Sequence, residues 1–322
     1  MKMDGRFCAR HVGAMLMTLA IATGAQAADK VRVGKAVPAW AFLALDIGVE
    51  QGIYQRYGLD LEITDMGSAA KLHQALASDS LDIGLTSGAD LAFPAKGAPV
   101  RAVAAFANRP LAVTILAMAD SPIKGPADLK GTTIAIPGVG SSPEWLLRQM
   151  SIQEGWGPDG VKMVALGSIA ATTAALRSHS IDAGIGSAEL AYTLEEQHEA
   201  RIVVRLADFA PHFHAHLVFA RNDLIDKNPA LIERFLKGFF ASIAFVKQNR
   251  AATDEAASRL MHQPIAIMDR TYNDQISMLE DDGTFDPQAI EVLKQSFVDL
   301  GTLSTKPSND LILTMQFVPV KP

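Results

Sequence analysis

The sequence has a single cysteine, no long apolar run and no excess of basic residues, and each absence excludes a class of protein. Its 322 residues carry 29 Lys and Arg against 35 Asp and Glu, a formal net charge of −6. This acidic balance, with the basic residues scattered along the chain, argues against a nucleic-acid-binding protein. One cysteine, Cys8, excludes a fold held by internal disulfides, and the length allows two ordinary domains with a large buried core.

The first 27 residues are typical of an export signal. Three basic residues precede an apolar run over 12–22, which leads into Ala25-Gln26-Ala27. The run is about half as long as the roughly 20-residue stretch that a membrane-spanning helix needs. We therefore predict a cleaved signal peptide over residues 1–27 and a periplasmic mature protein that contains no cysteine.

A segment of the chain recurs 100 residues downstream. Residues 67–87 and 167–187 are identical at ten of 21 positions, and both copies begin with Gly-Ser and end with Ser. In each copy the Gly-Ser pair suits a helix start, about ten helix-compatible residues follow, and a turn leads into a short apolar strand. Two copies of one unit predict two lobes of similar construction.

Strand and helix patterns alternate on both sides of the repeat, which predicts an α/β fold with sheets covered by helices. The predicted strands outside the repeat are 31–34, 59–64, 100–106, 113–118, 133–136, 161–166, 202–206 and 216–220. The predicted helices cover 41–57, 229–249, 253–261 and 287–300 and also follow Ser142, Ser168 and Ser187. After about residue 221 the pattern is helical only.

Small hydroxyl residues and glycines follow several of the strands, where the ligand crevice of an α/β sheet lies. Hydroxyl groups and free N–H groups at helix starts can hold an oxyanion without a full positive charge. The candidate ligand-binding residues of this kind are Gly67, Ser68, Ser87, Ser141, Ser142, Ser168 and Ser187. Each serine has a simpler interpretation as a helix N-cap, which competes for the same N–H groups.

Two larger side chains are also candidates for the ligand site. Trp40 directly follows the first strand, so its ring either stacks on a ligand or packs at the top of the first lobe. Arg109 lies between two predicted strands, at an expected crossing between lobes. Its cation suits a carboxylate or sulfonate ligand, although a surface salt bridge explains it equally well.

His212, His214 and His216 have a spacing of two, which places all three imidazoles on one face if the segment is extended. They could contact a ligand or hold a metal ion, but no acidic residue stands beside them in the sequence. We predict ligand contact by His214, no metal and no cofactor. The sequence contains no Gly-x-Ser-x-Gly, His-Glu-x-x-His or phosphate-loop motif, so binding is favoured over catalysis.

Several segments resemble a known family. They cover residues 50–63, 80–84, 128–137, 180–184 and 228–238. In order and spacing they are similar to periplasmic solute-binding proteins of ABC importers. The resemblance is to the group that binds nitrate, sulfonates, taurine and thiamine-pyrimidine precursors.

This resemblance implies a two-lobed type II binding-protein fold, in which each lobe is a mixed sheet flanked by helices and two crossing strands join the lobes. Lobe 1 would comprise 28–109 and 218–322, and lobe 2 would comprise 110–217. It further implies a monomer that closes on a small-molecule ligand and is recognised by a membrane permease with its ATPase. We expect a small anion, such as a sulfonate, nitrate or a carboxylate. The alternatives are a pyrimidine-like heteroaromatic ligand and an exported metal-dependent enzyme.

Overall fold

A computed structural model describes residues 28–321, and the predicted signal peptide lies outside the described residues. Ten strands are found in the described part of the chain. They are β1 (Asp29–Lys35), β2 (Leu59–Asp65), β3 (Ile83–Ser87), β4 (Val100–Ala107), β5 (Val113–Met118), β6 (Thr133–Ile136), β7 (Lys162–Ala165), β8 (Ala183–Ser187), β9 (Ala200–Arg205) and β10 (His216–Arg221).

Helices cover the strands and form most of the C-terminal third of the chain. They are α1 (Leu43–Glu50), α2 (Ala69–Ala77), α3 (Ala92–Ala95), α4 (Ser142–Gln153), α5 (Ile169–Arg177), α6 (Ala188–Glu196), α7 (Asn222–Lys227), α8 (Pro229–Gln248), α9 (Arg250–Met261), α10 (Ile265–Gln275), α11 (Pro287–Asp299) and α12 (Asn309–Ile312). Within the described residues, none of these helices combines the length and apolar character needed to cross a membrane.

The strands form two five-stranded mixed sheets of the same design. Their orders are β2-β1-β3-β10-β4 and β7-β6-β8-β5-β9. The first three strands of each sheet run parallel, whereas β10 and β5 run antiparallel to the strands on both of their sides. The prediction of an α/β fold with two similarly built lobes is confirmed.

The strands of the first sheet lie within residues 29–107 and 216–221 and those of the second sheet within residues 113–205, and the parts of the molecule built on these sheets are called lobe 1 and lobe 2 here. The chain crosses between them in segments 108–112 and 206–215. The predicted boundary after residue 109 falls within the first crossing. The predicted boundary between residues 217 and 218 falls inside β10, because this strand pairs with β3 and β4 of lobe 1 from His216 onward.

The two copies of the sequence repeat become equivalent parts of the two lobes, α2–β3 and α5–β8. Gly67 and Gly167 have positive φ angles of 74° and 76°, a left-handed conformation that glycine adopts without strain. The serine after each glycine caps its helix: the Ser68 hydroxyl accepts from the Lys71 N–H and the Ser168 hydroxyl from the Ala171 N–H. The helix starts predicted from the repeat are confirmed.

An aspartate at the same position of each repeat ties β3 or β8 to the neighbouring strand. A carboxylate oxygen of Asp82 accepts from the Arg32 backbone N–H at 2.9 Å, and one of Asp182 accepts from the Thr133 N–H at 2.7 Å. Asp82 is buried and also pairs with the guanidinium groups of Arg32 and Arg221, at 2.7 and 3.4 Å. The identity of the repeat at this position therefore has a structural cause.

The predicted helix over 41–57 is wrong in one respect, because the structure divides it into three pieces. A 3-10 turn at Trp40–Phe42 leads into α1, and a second 3-10 turn covers Tyr54–Tyr57. Gly52, between the last two, has a φ of 64°, which no right-handed helix accommodates. Helix α10 was not predicted from the sequence.

The long helix α8 carries the core of lobe 1. Phe235, Phe239 and Ile243 recur at intervals of four and lie on one face of the helix, where each is fully buried. Burial of each such side chain stabilises the fold by about 1.5–3 kcal/mol. This face packs against α1 and the sheet of lobe 1, which explains why the C-terminal helices belong to the first lobe.

The two repeat aspartates differ in burial, so we expect their substitutions to differ in effect. Asp82→Ala should lower the free energy of unfolding by about 2 kcal/mol, because the Arg32 backbone N–H loses its acceptor and the Arg221 guanidinium keeps only the exposed carboxylates of Asp79 and Asp223. Asp182→Ala should lower it by about 1 kcal/mol, since Asp182 is exposed and loses a single hydrogen bond. Urea unfolding of both variants measures the difference, and equal losses would contradict this account.

Candidate functional site: the cleft between the lobes

A cleft of about 610 Å³ separates the two lobes. Its lobe 1 wall contains residues that follow β1 and β3, and its lobe 2 wall contains the start of α4. Residues of the first crossing also line the cleft. Ala215, at the end of the second crossing, and His216, at the start of β10, line it as well. The cleft therefore lies beyond the carboxyl ends of the parallel strands, where ligands of α/β sheets bind. Most of its lining is apolar, with hydroxyl groups and a few charges between the apolar side chains.

The lobe 2 wall is the N-terminus of α4, which caps itself. The Ser141 hydroxyl accepts from the Glu144 N–H at 3.4 Å, and the Glu144 carboxylate accepts from the Gly140 N–H at 2.6 Å. This reciprocal cap uses two of the free N–H groups at the helix start, and Pro143 has no N–H group. Ser142 takes no part in the cap, and its hydroxyl lies 3.3 Å from the Ser87 hydroxyl of lobe 1. The two hydroxyls meet across the cleft.

The lobe 1 wall contains a buried carboxylate. β3 ends at Ser87, and the 3-10 turn that follows carries Asp90, which is 9% exposed. The Thr86 hydroxyl donates a hydrogen bond to this carboxylate. Burial raises the pKa of Asp90 to about 6, although the hydrogen bond from Thr86 acts in the opposite direction.

The first crossing contributes a cation to the cleft, and the start of β10 contributes an imidazole. The Arg109 guanidinium is 3.9 Å from the exposed Asp208 carboxylate, a surface ion pair, and its side chain lines the cleft and is 42% exposed, so an anion in the cleft can also reach it. Burial lowers the pKa of His216 to about 4, so this ring is neutral at physiological pH. It packs between Phe42 and Phe106, with ring centroids 4.9 and 5.7 Å away.

The structure brings four of the predicted ligand-binding residues together at the cleft. Ser87, Ser141, Ser142 and Arg109 all line it. Ser68, Ser168 and Ser187 are not among the lining residues, and their hydroxyls accept from backbone N–H groups of their own helices at 3.3, 3.1 and 3.3 Å. These three serines act as N-caps, which is the simpler of the two interpretations. Gly67 forms the turn before such a cap and does not line the cleft either.

Trp40 lies in the core and not in the cleft wall. It is 3% exposed, and its ring meets the edge of Tyr272 at a centroid distance of 5.9 Å. The cleft is lined instead by the neighbouring Ala39 and by Phe42. The indole turns inward because the 3-10 turn that begins at Trp40 directs it toward the C-terminal helices of lobe 1.

The three histidines of the second crossing do not share one environment. His212 pairs with the Asp286 carboxylate at 2.9 Å, and the buried His214 accepts from the Asp286 backbone N–H at 2.8 Å. Of these three histidines only His216 lines the cleft, whereas His214, which we predicted to contact the ligand, holds the start of α11 through its contact with Asp286. No group of three metal-ligating side chains is found in residues 28–321.

Several lining residues carry no recognisable signal in the sequence. Phe93 and Lys96 come from α3 and its C-terminal cap, and Phe297 and Leu300 come from α11 and its C-terminal cap. Asp90 could have been found, since it follows the Thr86-Ser87-Gly88 segment by two residues. The α11 residues could not have been found from the sequence, because they reach the cleft only through the packing of the C-terminal helices on lobe 1.

Direct contacts between the lobes lie beside the cleft. The Trp145 indole N–H of α4 donates to the Asp299 carboxylate of α11 at 2.9 Å, and the Trp145 ring stacks on Phe213. A separate contact joins α6 to α10, where the Gln275 amide donates to Glu189 at 3.0 Å and the Arg270 guanidinium lies 3.8 Å from the centre of the Tyr192 ring. In this structure the lobes are therefore closed on each other.

Two lobes of one topology, crossed twice by the chain and closed on a cleft, define the periplasmic-binding-protein fold. Similar solved structures include the periplasmic aliphatic sulphonate binding protein SsuA of Escherichia coli, with a TM-score of 0.76 and 21% identity, covering 88% of this chain and 92% of that one. The alkanesulfonate-binding protein SsuA of Xanthomonas axonopodis pv. citri, bound to MOPS, has a TM-score of 0.71 and 19% identity, covering 87% of this chain and 95% of that one. The desulfurization enzyme DSZB also has this fold, with a TM-score of 0.65 and 16% identity, covering 90% of this chain and 97% of that one.

The chain belongs to the NMT1/THI5-like family, whose model matches residues 41–252, more than half of the sequence. Provisionally named binding proteins of Brucella abortus, Brucella suis and Brucella melitensis are 29% identical to it over 230 residues, 69% of this chain and 69% of theirs. The family resemblance predicted from the sequence is confirmed.

Because Trp40 lies in the core, its removal should affect stability before binding. We expect Trp40→Ala to lower the free energy of unfolding by about 3–5 kcal/mol, the usual effect of deleting a buried aromatic side chain. Trp156→Ala, at a half-buried tryptophan, should have a clearly smaller effect. Urea unfolding of both variants tests this, and a Trp40→Ala protein of undiminished stability would favour a cleft position for the ring.

The Trp145–Asp299 hydrogen bond should bias the unliganded protein toward closure. Asp299→Ala removes an acceptor worth about 1.5 kcal/mol, which corresponds to roughly a tenfold shift toward the open form. Trp145→Phe should have the same effect, because it removes the donor and keeps the stacking on Phe213. Small-angle X-ray scattering would show a larger radius of gyration in both variants and no change in Asp310→Ala, an exposed control on α12. An unchanged radius in all three would show that the bond does not hold the lobes together.

Proposed function

We propose that this protein is the periplasmic solute receptor of an ABC importer, and that it binds a small organic anion between its lobes. The observation that carries the proposal is the cleft itself, lined from both lobes and both crossings, with the partly exposed Arg109 guanidinium in the first crossing. A ligand that contacts both walls stabilises the closed form, because only that form offers it all of its contacts.

The chemistry of the cleft favours an organic anion over an inorganic one such as nitrate. A volume of about 610 Å³ with a largely apolar lining suits an apolar body of several carbon atoms. Arg109 and the hydroxyls of Ser87 and Ser142 offer a charge and hydrogen bonds to a sulfonate or carboxylate group. The sulfonate ligands named for the two similar SsuA proteins agree with this assignment.

The rest of the proposal concerns the location of the protein in the cell and its partner there. The predicted signal peptide would export the chain to the periplasm as a monomer, where the closed form would dock on a membrane permease and release its ligand. Binding is proposed in preference to catalysis, because the polar side chains of the cleft are hydroxyls, two cations, one carboxylate and one imidazole among apolar side chains. The NMT1/THI5-like family membership supports a role for the cleft in binding a small molecule.

A thermal-shift screen tests the ligand class. Alkane- and arylsulfonates, aromatic carboxylates, nitrate and pyrimidines are added separately to the purified protein. At 100 times its dissociation constant, a true ligand should stabilise the folded state by about 2.7 kcal/mol. We expect shifts with the organic anions, and a shift with pyrimidines alone would replace the proposed class with the heteroaromatic one.

Arg109 can be tested on any ligand that the screen finds. Arg109→Gln should weaken binding of the anion about tenfold, a modest effect because the guanidinium is partly exposed to solvent. Arg56→Gln, at an exposed arginine outside the cleft, should leave the affinity unchanged. Isothermal titration calorimetry measures both, and equal affinities would remove Arg109 from the site.

A further inference from the structure

Asp90 is a buried acid that faces the cleft without a positive partner. Its carboxylate accepts the Thr86 hydroxyl, and no lysine or arginine nitrogen in the described part of the chain lies within 4.0 Å of it. A buried carboxylate is normally paired, since removing an isolated charge from water is unfavourable by several kcal/mol. The Thr86 hydroxyl and the Ser87 backbone N–H both donate to the carboxylate, but neither neutralises its charge.

The nearest basic group, His73, does not supply the missing charge. Its Nε2 is 4.0 Å from the Asp90 carboxylate, too far for a hydrogen bond, and both ring nitrogens are buried without a partner. The ring stacks on Phe93 with centroids 4.1 Å apart. Burial lowers the pKa of His73 to about 4, so the imidazole is neutral at the pH where Asp90 is ionised.

The other titratable groups near Asp90 lie on α3 and β10. Lys96, at the C-terminal cap of α3, lines the cleft but makes no ion pair with Asp90. His216 of β10 is neutral, because burial lowers its pKa to about 4. The carboxylate therefore presents an uncompensated negative charge to the cleft, and the half-buried ring of Phe93, which also lines the cleft, is of a type that attracts cations.

We propose that Asp90 binds a protonated amine of the ligand, so that the solute is a zwitterion with an anionic group at Arg109 and a cationic nitrogen at Asp90. This inference rests on the proposed function and narrows its ligand class. The ammonium group of the ligand would pair with Asp90, which has no positively charged partner within the described part of the protein. Selectivity would follow, since an anion without an amine leaves the buried carboxylate unpaired in the closed cleft.

Matched ligand pairs test the proposal. The probes are 3-aminopropanesulfonate against propanesulfonate and 4-(aminomethyl)benzenesulfonate against 4-methylbenzenesulfonate, titrated calorimetrically at pH 7.5. In at least one pair the wild-type protein should bind the amine at least tenfold more tightly. Asp90→Asn should abolish that preference, while Asp226→Asn, an exposed acid outside the cleft, should retain it. In Asp90→Asn the new amide oxygen still accepts the Thr86 hydroxyl, so the variant should fold, which its melting temperature verifies.

The pH dependence provides a second readout. A bound ammonium favours the ionised carboxylate, so affinity for the amine is complete above the pKa of about 6 and is lost as the pH falls through it. Between pH 7.5 and pH 5 the affinity should fall about tenfold, whereas the sulfonate and the ammonium of the ligand keep their charges. The amine-free sulfonate and the Asp90→Asn variant should show no such fall.

The outcomes separate this inference from the function on which it rests. Sulfonates that bind equally well with and without the amine overturn the role of Asp90 and leave the organic-anion receptor intact. A preference for the amine that survives in Asp90→Asn also overturns it. If neither member of any pair binds, the organic-anion proposal fails and this inference fails with it.

Discussion

The pairing of β10 with both β3 and β4 is the interaction on which the rest of the structure depends. β10 completes the sheet of lobe 1, yet it follows the whole of lobe 2 in the chain. The chain must therefore leave lobe 1 after β4 and return after β9. The two crossings lie side by side, since the Ala215 N–H donates to the Ala107 carbonyl at 2.8 Å. The cleft lies between the two lobes that these crossings join.

The polar residues around the cleft fall into two groups with different roles. Ser68, Ser168 and Ser187 satisfy N–H groups of their own helices and do not line the cleft. Ser87 and Ser142 meet across the cleft, whose lining also contains Asp90 and Arg109. An acidic chain can thus offer a binding cleft to an anion, because Lys96 and Arg109 line the cleft and Asp90 is the one carboxylate among its lining residues.

Much of the fold could be predicted because its signals are local. Helix caps act over three residues and strands alternate over two, so the repeat, most strands and α8 followed from the sequence. The predicted helix over 41–57 failed at Gly52, where a single positive φ ends the helical path. α10 was missed because its polar residues contact lobe 2, so that its face toward that lobe does not show an apolar stripe.

The sequence by itself determined two lobes of one design, their helix starts and the family to which they belong. Only the tertiary structure decided which side chains face the cleft. Trp40 and Ser87 both lie near the carboxyl ends of parallel strands of one sheet. The Trp40 ring turns into the core, whereas the Ser87 side chain contacts Ser142 of lobe 2. The physical reason is that the direction of a side chain at a strand end depends on the packing of distant helices, and α11 reaches the cleft from nearly 200 residues downstream of β3.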